Sequence, residues 1–86
     1  MSINNKREKD LIQFICDICD ECRIITHMVY YGSNNLSIEL FNLKSGTGMR
    51  ISTNRDDLRE CPEAIYQQKK NAIKQDIINK LIRGVK

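Results

Sequence analysis

The chain has 86 residues, 41% of them hydrophobic, and a formal net charge of +3 at neutral pH. That length holds a single domain, residues 1–86, with a modest core, and the apolar content excludes a disordered chain. No apolar run approaches the roughly 18 residues of a membrane span, so a membrane partner is not expected.

The polar, charge-mixed start from Met1 to Asp10 does not read as a secretion signal. A cytoplasmic setting with reduced cysteines follows as the expectation. The bias to Asn, Ile and Lys without Trp points to an AT-rich genome, such as that of a bacterium or its phage.

Asn5 followed three residues later by Glu8 resembles a helix-capping pair. From there the apolar positions Leu11, Ile12, Phe14, Ile15 and Ile18 fall on one arc of a helical wheel. Asp10, Asp17, Asp20 and Glu21 fall on another, and the two do not overlap. This predicts an amphipathic helix over about 5–22 with an acidic solvent face. The period then changes. Ile24 to Tyr31 is β-branched and aromatic and reads as a strand. Gly32 to Asn35 reads as a turn. Leu36, Ile38 and Leu40 alternate with Ser37, Glu39 and Phe41 in a second strand. A turn at 44–48 leads to a third, where Met49, Ile51 and Thr53 alternate with Arg50, Ser52 and Asn54. Such short loops predict an antiparallel meander.

Asn54 to Glu60 reads as a polar connector in which Asp56 and Asp57 cap a turn or helix. Pro62 suits the first turn of a last helix, and Gly84 suits its end. On that helix Ile65, Ala72 and Ile73 fall on one side. Ile77, Ile78, Leu81, Ile82 and Val85 fall on another, more than one thin sheet covers. Either the helix bends, or these five residues pack against a second chain as a homodimer. The expected fold is α+β: helix, three-stranded antiparallel meander, helix, with both helices on one face. The other face, set by Ser37, Glu39, Phe41, Arg50 and Ser52, should be wet.

Four cysteines need a reading. Cys16, Cys19 and Cys22, with the distant Cys61-Pro62, have the spacing of bacterial iron–sulfur ligands, and a zinc site from Cys16, Cys19, Cys22 or His27, and Cys61 is also countable. No Gly or Pro interrupts residues 11–23, however, and thiols at i, i+3 and i+6 of a continuous helix do not close on one ion. Cys22 and Cys19 lie inside the apolar arc and Cys16 at its margin, so the expectation is core thiols without metal or cofactor. Cys61 sits near an expected helix N-terminus, which favours thiolate, but nothing reads as a base tied to it. His27, the only histidine, is expected to be satisfied or exposed in its strand. No catalytic set emerges, and the chain is not expected to be an enzyme.

Charge is uneven. Residues 1–43 sum to −2 and residues 44–86 to +5, with Lys69, Lys70, Lys74, Lys80, Arg83 and Lys86 near the end. Helix, three strands, helix is also the element order of the double-stranded RNA-binding domain. Lys69-Lys70-Asn71-Ala72 resembles the Lys-Lys-x-Ala that begins that family's second helix. The family's lysines open the helix, whereas these lie about two turns after Pro62, and Arg55 to Glu60 is not a phosphate cradle. The likeness is one of order alone. The expected function is a non-enzymatic protein-interaction module, a regulator or inhibitor. The expected contacts are Asp17, Asp20 and Glu21 on the acidic face and Lys69, Lys70 and Lys74 on the basic one. Nucleic-acid binding by the basic helix is the alternative.

Overall fold

A computed structural model describes residues 6–83. Its elements run α1 (Lys6–Cys22), β1 (Ile25–Tyr31), β2 (Asn35–Asn42), β3 (Gly48–Asn54), α2 (Arg55–Glu60) and α3 (Glu63–Ile77), and α3 continues as a π-helical turn over Ile78–Ile82. The expected α+β order is present, with the sheet in the order β1-β2-β3 and both pairings antiparallel. Asn5, Gly84 and Val85 lie outside the described residues. No described helix is long and apolar enough to cross a membrane.

Register explains the core. Ile38 of the central strand pairs with Val29 on one side and Ile51 on the other. Because side chains alternate along a strand, Leu36, Ile38 and Leu40 share the face that carries the helices, and all three are fully buried. From α1 come Leu11, Ile15, Ile18 and Cys19, and from the last helix Tyr66, Ile77 and Leu81. Helix α1 stops at Arg23, whose φ of 61° is the left-handed conformation of a helix cap. The Arg23 N–H donates to the Cys19 carbonyl at 2.9 Å.

Two expectations need correction. The stretch 55–60 is a helix, not a connector. Asn54 is its cap, with Oδ1 accepting from the Asp57 N–H at 3.0 Å, and Leu58 is the apolar anchor, fully buried. Cys61 consequently closes α2 instead of opening α3. Its N–H donates to the Asp57 carbonyl, and Pro62 caps α3.

The apolar stripe of the last helix does not split. Ile65 and Ala72 are exposed, and the buried residue is Tyr66. Tyr66, Ile73, Ile77 and Leu81 then make one continuous line at helical spacing. The apparent drift came from starting the line at Ile65. The surplus cluster expected to drive self-association loses its motive accordingly. Ile77 and Leu81 are fully buried within the chain's own core, Ile78 is half-buried, and only Ile82 is substantially exposed.

Of the two thiols expected in the apolar arc, Cys19 is buried, whereas Cys22, at the helix end, is half-buried like Cys16.

Asn42 fastens the end of the last helix to the sheet. Its amide is fully buried. Nδ2 donates to the Leu81 carbonyl at 2.7 Å, and Oδ1 accepts from the Lys44 and Ser45 N–H groups at 2.8 and 3.0 Å. Asn42→Ala leaves that carbonyl and those turn donors without their partner. A loss of about 1–3 kcal/mol is expected, read from urea unfolding followed by circular dichroism.

Candidate functional site

The strand alternation that buries Leu36, Ile38 and Leu40 sends a second set of side chains to the open side of the sheet. Three cross-strand rows result: Thr26, Phe41 and Gly48; Met28, Glu39 and Arg50; Tyr30, Ser37 and Ser52. Ser37, Glu39, Phe41, Arg50 and Ser52 are the outer residues the sequence placed there. The face is open to solvent as expected, and Met28 and Tyr30 of β1 make it more apolar. Met28 is 57% exposed, Tyr30 45% and Phe41 44%. Gly48 stands opposite Phe41 and, having no side chain, leaves that flank of the ring uncovered.

One ion pair occupies the middle row. Arg50 Nε donates to Glu39 Oε2 at 3.1 Å, and Nη2 donates to the same oxygen. The Tyr30 hydroxyl lies 3.3 Å from Glu39 Oε1 and 2.8 Å from Met28 Sδ. The Arg50 guanidinium holds the Glu39 carboxyl below its ordinary range, and Glu39 in turn raises Arg50. Both therefore stay charged through neutral pH, and the face has no net charge. A shallow hollow of about 460 Å³ lies over it, bordered by Thr26, Met28, Glu39, Phe41, Gly48 and Arg50.

The basic residues singled out from the sequence are dispersed, whereas the acidic ones stay together on one helix. Lys70 belongs to the fold. Its Nζ donates to Asp10 Oδ2 at 3.1 Å and lies 4.8 Å from the Phe14 ring centre and 5.3 Å from that of Tyr66. Lys69 is half-buried and Lys74 exposed on other sides of α3. Asp17, Asp20 and Glu21 are exposed on α1, with Asp17 accepting from Gln13.

All four cysteines are free. Burial pushes the Cys19 thiol up to about 11, and burial with the nearby Asp20 and Asp17 raises Cys16. Cys16 Sγ meets His27 Nε2 at 3.2 Å, a pairing the sequence reading missed. The signal was the strand register, which puts His27 on the helix side at the sheet's edge. No group of three or more metal-ligating side chains occurs among the described residues. Cys61 Sγ lies 3.5 Å from the Arg7 guanidinium, which also bonds the Leu58 and Cys61 carbonyls and so caps α2. Comparison with known proteins finds no matching family model, no similar curated protein and no similar solved structure.

The α1–α3 contact has a pH signature. Asp10 accepts from the Tyr66 hydroxyl and from Lys70, and these bonds, Tyr66 first, hold its carboxyl below the ordinary value of 3.8. A carboxyl depressed in the folded state stabilises fully above its unfolded value and loses that contribution as pH falls through the folded one. Asp10→Asn should therefore flatten the fall of stability below about pH 4, while stability at neutral pH drops. Unfolding curves from pH 2 to 7 test this. A variant whose acid limb is as steep as that of the wild type would remove Asp10 as its source.

Proposed function

We propose that the chain is a small non-enzymatic interaction module, a regulator or inhibitor, that docks the open face of its sheet on a protein partner. The observation carrying this reading is the exposed set Met28, Tyr30 and Phe41 around the Glu39–Arg50 pair. Aromatic residues, Met and Arg are the types that protein interfaces enrich. Tyr and Arg are also the residues that most often dominate binding energy. A face with no net charge favours a mixed apolar and polar protein surface over a polyanion. The expected occupant has an apolar centre to cover Met28 and Phe41, with a donor and an acceptor to meet Glu39 and Arg50. A cytoplasmic setting and a phage or mobile-element origin belong to the same reading, on composition alone.

The nucleic-acid alternative rested on Lys69, Lys70 and Lys74 acting together. Lys70 is engaged with Asp10, Phe14 and Tyr66, and the other two diverge, so no specific observation favours it.

Photocrosslinking in the native cell tests the proposal. A benzoylphenylalanine replacing Met28 should yield a discrete protein adduct that survives nuclease. That adduct should vanish when Phe41→Asp is added, whereas the same probe at Lys74 should yield none. Adducts only from Lys74, or adducts abolished by nuclease, would contradict the reading.

A further inference from the structure

Strand β3 is an edge of the sheet, and its free side opens into a groove under α3. The Asn42 N–H donates to the Thr47 carbonyl at 2.8 Å, and this fixes the alternation of the ladder. Met49, Ile51 and Thr53 exchange bonds with β2, while Gly48, Arg50 and Ser52 turn their N–H and C=O groups outward. Beside this edge lies a cavity of about 340 Å³, where the apolar Leu11, Met49, Ile51, Leu58 and Ile73 alternate with polar residues such as Ser52 and Thr53. Lys69, Ala72, Asp76 and Lys80 form its helix rim.

We infer that a second copy of this chain occupies the groove, its β3 pairing antiparallel with this one about a twofold axis. Two independent features of the surface are self-complementary. An edge strand facing its own copy across a twofold axis forms an antiparallel pair, with the outward groups of Arg50 and Ser52 meeting their equivalents. The helix rim obeys the same symmetry. Ala72 is small and lets two helices approach. Lys69 precedes it by three residues and Asp76 follows it by four, so an antiparallel pair of α3 helices centred between Ala72 and Ile73 sets each Lys69 against the other copy's Asp76. Neither residue has an ion-pair partner among the described residues. Arg50 is already matched to Glu39 on the open face. An acidic peptide or a nucleic acid would engage Lys69 and Lys80 but leave Asp76 facing an anion, whereas a second copy pairs Lys69 and Asp76 alike. This dimer leaves the open face with Met28, Tyr30 and Phe41 free, so it is independent of the partner reading. It also replaces the C-terminal turns as the surface of self-association.

Charge reversal on the full chain separates the outcomes. The probes are K69E, D76K and the double variant, all at exposed or half-buried positions, with folding checked by circular dichroism and mass by sedimentation equilibrium. The wild type should be a dimer at tens of micromolar. Each single variant sets like charges together twice and should weaken the dimer on the order of tenfold or more. An equimolar mixture of the two singles should form heterodimers, and the double reversal should recover the wild-type constant. A monomeric wild type over that range would overturn the inference. So would single variants that dimerise like the wild type, or a double variant that stays monomeric.

Discussion

The carboxylate of Glu8 is buried, with 2% of the residue exposed, and the fold is arranged around satisfying it. A buried charge without a partner costs more than almost any other single defect a small domain can carry. Arg55 meets it with both arms of the guanidinium, Nε to Oε2 at 2.9 Å and Nη2 to Oε1 at 3.0 Å. The planar fork matches the carboxylate in a way lysine does not. Its third nitrogen, Nη1, donates to the Gly32 carbonyl at 2.9 Å, and the guanidinium lies 5.4 Å from the centre of the Tyr31 ring. The Arg55 N–H also donates to the Asn34 carbonyl at 2.7 Å. One residue thus holds the start of α1, the β1–β2 turn and the junction of β3 with α2. Arg7, beside Glu8, fixes the other end of α2 and lies 4.9 Å from the Tyr66 ring centre.

This clamp decides what stays exposed. With α1 held at the sheet's end and α2 turned back by Leu58 and Arg7, all helical mass lies on one face. The polar residues that tie the layers together, Glu8, Arg55, Arg7, Asp10 and Asn42, are spent internally. The three rows of the open face then keep the Glu39–Arg50 pair as their only charged side chains. The edge of β3 opens into the groove under α3, because α3 reaches the core through Tyr66, Ile77 and Leu81 and leaves its Lys69, Ala72 and Asp76 side beside the strand. The two candidate surfaces are consequences of one packing arrangement, one for a partner of different sequence and one for a second copy.

The fold was largely legible because its signals are local. The wheel of α1, the alternation of β2 and β3 and the Gly-containing turns each name their element within a few residues. What escaped depended on pairings between distant residues. Glu8 and Arg55 are 47 positions apart, and nothing in either neighbourhood announces the other. Lys70 looked like part of a basic surface because its anionic partner, Asp10, lies 60 residues away. The stripe of α3 is one residue off in the sequence pattern because Tyr66, half aromatic and half polar, signals burial less strongly than its exposed neighbour Ile65. α2 was missed although Asn54, Asp57 and Leu58 supplied a cap and an anchor, since six residues are too few for periodicity to register. The open face was half legible: β2 and β3 announced it, but β1 lacks a clear alternation until its register against β2 is known.

A double-mutant cycle on Glu8 and Arg55 tests the central claim most directly. Glu8→Ala, Arg55→Ala and the double variant would be compared with the wild type by urea unfolding at neutral pH. Each single replacement strands the other charge, so each should lower the midpoint severely. Removing both leaves no charge stranded, so the double variant should be little less stable than either single one. Losses that simply add, with the double variant falling by the sum of the two, would show that the residues act independently and would contradict the account.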